Sequence, residues 1–444
     1  MARSITAAVA QIKSEVARWL TAETIEQVCR DVGHTWRERL LNPVTTVHLF
    51  VLQILHGNTA CAHVPRLGDV PCSGEAYGQA RARLPLLVLQ RLSDGLVTQL
   101  RGAAETVGRW RGHRTFTIDG TSASMPDTPA LQKAYGQSGM QAVGVGFPTM
   151  HLLALFDAAT GFLMRMVSAP LRTHDMSQVP HVHPELTNGD ILLGDRGFAS
   201  FAHLALLTAR KAFGVFRAHQ KQIVDFTVGR PAGGRGQPTS RWLKRLGADD
   251  QLVEYVRPEQ RPQWMSADDY AALPAVLVVR ELRYHVTVAG WRPKAITLVT
   301  TLLDPVRYPK EALAELYQQR WQIELNFRHL KTTLRMEVLH CQTVVGVQKE
   351  LTMYALVYNL IRLVMRQAAE QQQQPIERIS FIDAVRWLEQ AILGDDATLN
   401  LRTNPDRPHR YEPRAIKRRP KPYDQLNVPR PQARKRLLEQ GIAA

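Results

Sequence analysis

One stretch of fifteen residues, YQQRWQIELNFRHLK from Tyr317 to Lys331, constrains this chain more than any other. It contains no Gly or Pro and many strong helix formers, so we predict an α-helix. At about 100° per residue, a phenol, a carboxylate and two cations fall on one stripe about 60° wide. These four residues are Tyr317, Arg320, Glu324 and Lys331. A carboxylate among cations suits a site that binds metal and phosphate together, and a solvated face with incidental charges is the alternative.

An apolar stripe lies beside the charged one on the same helical wheel. Its members are Leu316, Ile323, Phe327, Leu330 and Leu334. Because apolar residues at this spacing form the buried face of an amphipathic helix, we expect this stripe to pack on the core. The polar stripe would then face a charged ligand.

The charge of the chain favours a polyanionic partner. Its 444 residues carry a formal net charge of +16 and the pI is about 10.0, which is typical of proteins that bind nucleic acid. The chain is long enough for two to four domains of ordinary size. Four scattered cysteines indicate a reducing compartment. No uninterrupted apolar run reaches about 18 residues, so we expect a cytoplasmic protein that does not cross a membrane.

The first 110 residues are predicted to be mostly helical. Candidate helices lie near 8–20, 23–31, 43–56, 73–83 and 85–106. Ser73 and Glu75 form a plausible helix start for the basic segment SGEAYGQARARL. This short helix could be a recognition helix that reads DNA. The alternative is an ordinary helical bundle with Arg81 and Arg83 on its surface.

Two aspartates follow predicted strands. The run RTFTID (114–119) is rich in β-formers and ends in Asp119, before the turn GTSASMPDT. The run ILLGD places Asp195 at the end of a short buried strand, before a predicted helix at 199–211. Between them we predict a loop at 130–147 and two further strands at 150–157 and 162–170. His174 and Asp175 could form a metal or acid–base pair, although a capped turn is the favoured interpretation.

The spacing Tyr317-x2-Arg320-x3-Glu324-x6-Lys331, together with the two upstream aspartates, resembles the signature of bacterial DDE transposases of the insertion-sequence-four family. The resemblance implies an α/β fold with a ribonuclease-H-like catalytic core and a β-rich insertion subdomain. A helical N-terminal domain would precede the core and a helical C-terminal region would follow it. The family often ends in a stretch similar to Lys417–Tyr423 of this chain.

The resemblance also implies residue roles. Asp119, Asp195 and Glu324 would be the catalytic acids and the ligands of two Mg²⁺ ions, with Mn²⁺ able to substitute. The residues expected to bind DNA are Tyr317, Arg320, Lys331, Trp291, Trp321, Arg418 and Arg419. Of the two tryptophans, Trp291 could stack on an extruded base, whereas packing in the core is slightly favoured for Trp321.

The predicted function is that of a DNA transposase. It would bind terminal inverted repeats, cleave DNA by metal-dependent hydrolysis through a hairpin, and join the end to target DNA. Its partners would be transposon ends and target DNA, and it would act as a dimer on DNA. Two rivals are a nuclease or integrase with the same core, and a catalytically silent DNA-binding regulator derived from a transposase.

The expected domain order follows from these assignments. The predicted parts are a helical N-terminal DNA-binding domain (1–110), a first core part (111–212), a β-rich insertion (213–302), a second core part with the catalytic helix (303–345), C-terminal helices (346–400) and a basic Pro-rich tail (401–444).

Overall fold

The computed structural model describes residues 20–104, 108–286, 294–389, 400–405 and 426–440. Its N-terminal part contains the helices α1 (Ala22–Asp31), α2 (Pro43–Leu55), α3 (Val64–Leu67), α4 (Gly74–Arg83) and α5 (Leu86–Ala104). The side chain of Asn42 accepts a hydrogen bond from Thr45 N at the start of α2, and Ser73 caps α4 through Ala76 N. Both starts were predicted from the sequence. The predicted helix near 8–20 lies outside the described residues except for its last position.

The helical-bundle alternative, which places both Arg81 and Arg83 of α4 on the surface, is wrong for Arg81. Its guanidinium points inward, donates to Gln53 Oε1 at 2.7 Å and lies 3.8 Å from the ring centroid of Phe50. A second nitrogen lies 3.3 Å from the sulfur of Cys341. Arg81 therefore joins the N-terminal helices to the C-terminal half of the chain, because Gln53 lies on α2 and Cys341 lies shortly before α12. This leaves Arg83 as the exposed arginine at the end of α4.

One nine-stranded sheet runs through the centre of the chain. Its strands are β1 (Thr115–Ser124), β2 (Thr149–Asp157), β3 (Leu163–Pro170), β4 (Ile191–Gly194), β5 (Phe213–Arg217), β6 (Arg241–Gly247), β7 (Asp250–Val256), β8 (Val276–Val286) and β9 (Lys294–Thr300). The order across the sheet is β3-β2-β1-β4-β5-β9-β8-β7-β6. Strand β4 is parallel to β1 and β5, and the other neighbours are antiparallel. The fold is thus mixed α/β with a mostly antiparallel sheet.

Strand β1 is longer than the sequence predicts. The run GTSAS, expected as a turn after Asp119, continues the strand to Ser124 because it pairs with β2, from Gly120 opposite Leu153 to Ser124 opposite Thr149. Asp119 therefore lies in the middle of β1 and not at its end. The predicted loop 130–147 is also wrong at its start, where residues 129–135 form a helix.

The strands of the predicted insertion continue the same sheet. Val215 of β5 lies opposite Thr300 of β9, and β8, β7 and β6 follow outward from there. The prediction missed β6, since its exposed sequence RWLKRLG lacks a buried apolar face. The boundaries assigned to an insertion at 213–302 remain a prediction.

Helices cover the sheet and complete the core. They are α6 (Pro129–Tyr135), α7 (Asp175–Val182), α8 (Phe201–Ala209), α9 (Ala267–Ala271), α10 (Lys310–Gln318), α11 (Gln322–Arg328), α12 (Val344–Gln372), α13 (Phe381–Glu389) and α14 (Arg430–Glu439). Helix α12 is the longest of them and packs against α5, α13, α2 and β3. The predicted helix 376–392 is interrupted, because a 3-10 turn at Ile376–Arg378 precedes α13.

The predicted basic tail contains one helix among its described residues, α14. Helix α14 buries none of its residues. Its first residue, Arg430, pairs with Asp127 at 3.0 Å and lies over the ring of Phe147. Within the described ranges, no helix is both long and apolar enough to span a bilayer.

Candidate active site

The parallel pairing of β1 with β4 brings the two predicted aspartates together. Thr117 of β1 pairs with Leu193 of β4. Two residues further along each strand lie Asp119 and Asp195, so the register places them level on neighbouring strands. Side chains two residues apart in a strand point to the same face, so both carboxylates lie on the face occupied by Thr117 and Leu193.

The same register identifies a cation that the sequence analysis missed. Gly194 of β4 pairs with Phe216 of β5. The register therefore places Asp195, which follows β4, level with Arg217, the last residue of β5. Arg217 thus comes next to the two aspartates in the row across the strand ends. The signal was present in the sequence, because FGVFR places a charge after a buried run, as ILLGD does.

Each aspartate is fixed by a backbone hydrogen bond close to it in sequence. Gly120 N donates to Asp119 Oδ1 at 2.8 Å, and Gly197 N donates to Asp195 Oδ1 at 2.7 Å. Among the described residues, the second oxygen of each carboxylate accepts no hydrogen bond. One oxygen of each acid is thus held in place while the other stays available.

The signature segment is helical but is not one regular helix. After α10 come a 3-10 turn at Gln319–Trp321, then α11, and then a π turn at His329–Thr333. The predicted core face is confirmed, since all five of its apolar residues are buried. They are Leu316, Ile323, Phe327, Leu330 and Leu334. The four polar signature residues do not share one exposed stripe: Tyr317 and Arg320 are buried, Lys331 is half-buried and Glu324 is exposed.

The end of β1 also fixes the chain that follows the π turn. Ser124 N donates to Glu337 O at 3.0 Å, and Leu339 N donates to Ser124 O at 2.8 Å. The strand that carries Asp119 therefore anchors the C-terminal end of the signature segment. This connection explains why the segment lies across β1.

Arg320 joins the first acid to the third. Its Nη1 lies 3.9 Å from Asp119 Oδ2, and its Nη2 lies 3.7 Å from Glu324 Oε1. The arginine side chain is 10% exposed, whereas that of Glu324 is 52% exposed. One buried cation thus lies between two carboxylates that are 205 residues apart in the sequence.

Tyr317 lies in the core and not on a polar surface. It is 3% exposed and packs in an apolar cluster between the sheet and α10. Burial raises the pKa of Tyr317 to about 12; Asp195 adds to this rise, and Arg320 and Arg217 oppose it. Burial also raises the pKa of the neighbouring Tyr284 to about 12. Both phenols are therefore neutral near pH 7.

Five other residues were predicted to bind DNA, and the structure describes two of them, Trp321 and Lys331. Trp321 is 55% exposed, so the preference for packing in the core was wrong. Its indole lies 4.7 Å from the Arg320 guanidinium carbon. Lys331 is half-buried in the π turn, and no described carboxylate forms an ion pair with it. The predictions for Trp291 and for Arg418 and Arg419 lie outside the described residues.

The capped turn predicted at residues 174–175 is confirmed. His174 Nδ1 accepts from Met176 N at the start of α7. Asp175 turns instead to His151, with Asp175 Oδ1 2.7 Å from His151 Nε2. A Cβ atom on Gly120 would lie 2.4 Å from Asp175 Oδ1. A larger residue at position 120 would therefore displace the Asp175 carboxylate, because this pair packs directly on the strand.

The chemistry of the three acids fits a divalent cation. Carboxylate oxygens are preferred ligands of Mg²⁺, and both aspartates have an oxygen free of hydrogen bonds. Within the described part of the chain, no three His, Cys, Asp or Glu side chains are gathered closely enough to hold one ion. Arg320 supplies the positive charge that now lies between Asp119 and Glu324.

The surroundings of Asp119 disfavour its negative charge. Burial raises its pKa from 3.8 to about 6, and the charge of Asp195 adds to the rise. The N–H of Gly120 and the guanidinium of Arg320 oppose it. The carboxylate is therefore strained electrostatically near neutral pH, and binding of a further cation would relieve this.

Comparison with known proteins identifies the family. The family model described as "Transposase DDE domain" matches residues 110–360. This range includes β1, β4 and the whole signature segment, and it exceeds half of the chain. The chain belongs to the DDE transposase family.

Individual relatives of this DDE transposase agree with the insertion-sequence-four resemblance. The transposase InsG for insertion sequence element IS4 of Escherichia coli K12 is 24% identical over 295 residues, which cover 66% of this chain and 61% of InsG. The putative transposase InsZ of the same organism is 29% identical over 127 residues, covering 28% of this chain and 42% of InsZ. The chain thus spans less than two thirds of the length of either relative.

One solved structure shows a weak likeness to this transposase. It is the cryo-EM structure of a piggyBac transposase synaptic complex with hairpin DNA. The TM-score is 0.43 at 10% identity, over 88% of this chain and 80% of that one.

Replacing Asp119 by Asn should stabilise the metal-free protein at neutral and basic pH. The pKa of Asp119 is higher in the folded chain than its ordinary value of 3.8, so ionisation costs the folded state stability as the pH rises from about 4 to about 6. We expect the free energy of unfolding of Asp119→Asn to exceed that of the wild type by about 1–3 kcal/mol at pH 8 in EDTA. The gain should vanish below about pH 4.

The measurement is thermal or urea unfolding across this pH range. Asp94→Asn, at a carboxylate that is 58% exposed, serves as the control and should change little. Equal stability of Asp119→Asn and the wild type at pH 8 would contradict the electrostatic cost assigned to Asp119.

Proposed function

We propose that this chain is a DNA transposase that binds terminal inverted repeats, cleaves the DNA ends and transfers them into target DNA. The observation that carries the proposal is the geometry of the acids. Asp119 and Asp195 are level on neighbouring parallel strands, and Arg320 lies between Asp119 and Glu324. Two acids thus lie level at the sheet, and the third is connected to the first of them through Arg320.

The strand order supports a ribonuclease-H-like core within this proposal. Strands β3, β2 and β1 form an antiparallel meander, and β4 and β5 continue from β1 in parallel. This is the arrangement that the family resemblance leads us to expect. In the proposed domain order, β6 to β9 are the insertion that extends the core sheet.

Asp119, Asp195 and Glu324 would hold two divalent ions, Mg²⁺ or Mn²⁺. When bound, such ions activate an attacking water or 3′-hydroxyl and stabilise the leaving oxygen. The chain itself fixes one oxygen of each aspartate through Gly120 and Gly197. The two aspartates would therefore need little rearrangement of the backbone to bind the ions.

Cations around the acids would hold the DNA backbone. Arg217 stands next to Asp195 at the end of β5, and Lys331 follows the catalytic helix. Guanidinium and ammonium groups bind phosphate oxygens well. Tyr317, neutral and buried, would position Arg320, whose guanidinium carbon lies 5.9 Å from its ring centroid.

Trp321 is available to the DNA. Its ring is more than half exposed and one side is covered by Arg320. Aromatic side chains stack on unpaired bases, so we propose that Trp321 contacts a base near the cleaved bond. The hairpin intermediate and the role of Trp291 remain proposals that rest on the family resemblance.

A basic cleft in the N-terminal helices is our proposed site for DNA outside the active site. The cleft has a volume of about 480 Å³. Its lining includes His34, Trp36, Arg37, Arg39 and Arg83. Among the described residues, no carboxylate lies within ion-pair distance of the three arginines. Three unpaired cations beside a stacked imidazole and indole suit a DNA backbone with an exposed base.

Coordinated cutting of two ends requires two active sites, so we propose that the protein acts as a dimer on DNA. A catalytically silent regulator would bind the same ends without needing the acids. The three acids therefore discriminate between the two functions.

Replacing Asp119, Asp195 or Glu324 by Ala should abolish cleavage of end DNA and leave DNA binding intact. Losing a supporting partner of a metal ligand already costs about 10–100-fold, so loss of a ligand should cost more. Cleavage of labelled end DNA with Mg²⁺ and a binding assay without metal measure the two properties. Glu315→Ala, an exposed acid on α10, is the control. Full cleavage by any acid variant would remove that residue from the site.

Lys331→Ala and Arg217→Ala should each weaken end binding and make it less dependent on salt. Each phosphate contact that is lost lowers the slope of log affinity against log salt by about 0.9. A salt titration measures the slope. Lys310 is the first residue of α10, and its ammonium donates to Ala248 O, so Lys310→Ala is the control. An unchanged slope would mean that the tested cation does not contact DNA.

The triple change of Arg37, Arg39 and Arg83 to Ala should lower the same slope by about 2–3. Cleavage of saturating DNA should persist, because the cleft lies outside the acid site. Arg66→Ala, an exposed arginine on α3, is the matched control. A triple variant with the wild-type slope would exclude the cleft as a DNA contact.

A further inference from the structure

Arg320 occupies an unusual position for a residue that only holds DNA. It lies in the 3-10 turn between α10 and α11, and its side chain is 10% exposed. The 3-10 turn directs it toward the sheet, where Asp119 lies on one side and Glu324 on the other. The guanidinium is therefore enclosed by the acids rather than presented to solvent.

The contacts of Arg320 with the two acids are Coulombic rather than hydrogen bonds. Both distances, 3.9 Å to Asp119 and 3.7 Å to Glu324, exceed hydrogen-bond length. Its Nε is buried and has no hydrogen-bond partner among the described residues. A buried donor without a partner is costly, so the arginine retains hydrogen-bonding capacity that these acids do not use.

We propose that Arg320 is the internal counter-cation of the metal-free site and competes with divalent metal for Asp119 and Glu324. This inference rests on the proposed function. The guanidinium neutralises two carboxylates that would otherwise repel each other and Asp195. A divalent cation that binds the same carboxylates takes over this charge, and its repulsion of the guanidinium weakens both Arg320 contacts.

An Arg320 side chain released from the two acids would be able to bind a DNA phosphate. Its planar fork of donors matches a phosphate group, and its Nε has no other partner to give up. Metal binding and phosphate binding would thus be coupled: metal takes the carboxylates while Arg320 turns its donors to the DNA. The coupling would make full occupancy of the site by metal depend on the presence of DNA.

The test measures metal affinity without DNA or catalysis. Mn²⁺ binding to the full chain is followed by electron paramagnetic resonance for the wild type, Arg320→Gln, Arg320→Lys and Arg66→Gln. We expect Arg320→Gln to bind Mn²⁺ about tenfold more tightly, because a competing unit charge is gone. Arg320→Lys should lie between it and the wild type. Arg66→Gln removes an exposed cation on α3, outside the acid site, and it should change affinity much less.

A second readout separates this role from a purely structural one. Arg320→Gln should bind metal more tightly and yet cleave DNA more slowly, whereas a misfolded site would lose both properties. Unchanged or weaker Mn²⁺ affinity in Arg320→Gln and Arg320→Lys, with wild-type melting curves, would overturn the inference alone. Mn²⁺ binding that is absent throughout, or that Glu324→Gln leaves unaltered, would contradict the proposed metal site itself and the inference with it.

Discussion

The parallel register of β4 with its two neighbours is the constraint on which the site depends. Because β4 lies between β1 and β5 in one register, the residues that follow its last position align with residues on both sides. This places Asp119, Asp195 and Arg217 in a row. A shift of one residue in either pairing would turn one of these side chains to the opposite face of the sheet.

The acids at this site outnumber the cations. Arg320 lies between Asp119 and Glu324, and Asp119 still shows the cost of its surroundings in a raised pKa, to which burial and the charges of Asp195 and Asp175 contribute. A site of this kind is held by the packing around it rather than by its own contacts. Helix α12 and the apolar stripe of the signature segment supply that packing. Packing elsewhere in the fold therefore offsets the electrostatic cost of the site.

Local patterns predicted much of this arrangement, and pairing between distant segments decided the rest. The caps at Asn42 and Ser73, the buried stripe and the strand before Asp195 were all readable, because each depends on neighbouring residues only. The continuation of β1 through GTSAS was not, since these small polar residues form a strand only by pairing with β2. The exposure of Trp321 was missed for a different reason: its place on the helical wheel, away from the buried apolar stripe, already favoured solvent over the core.

The wide separation of the three acids has a consequence for synthesis of the chain. Asp119 and Asp195 are 76 residues apart, and a further 129 residues separate Asp195 from Glu324. Contacts between such distant residues form late in folding, and a growing chain emerges from its N-terminus. A ribosome-bound or prematurely terminated product would therefore contain the basic N-terminal helices, but no complete set of acids, until the signature segment has been made. Copies of the gene interrupted before the codon of Glu324 would yield proteins without the complete acid set.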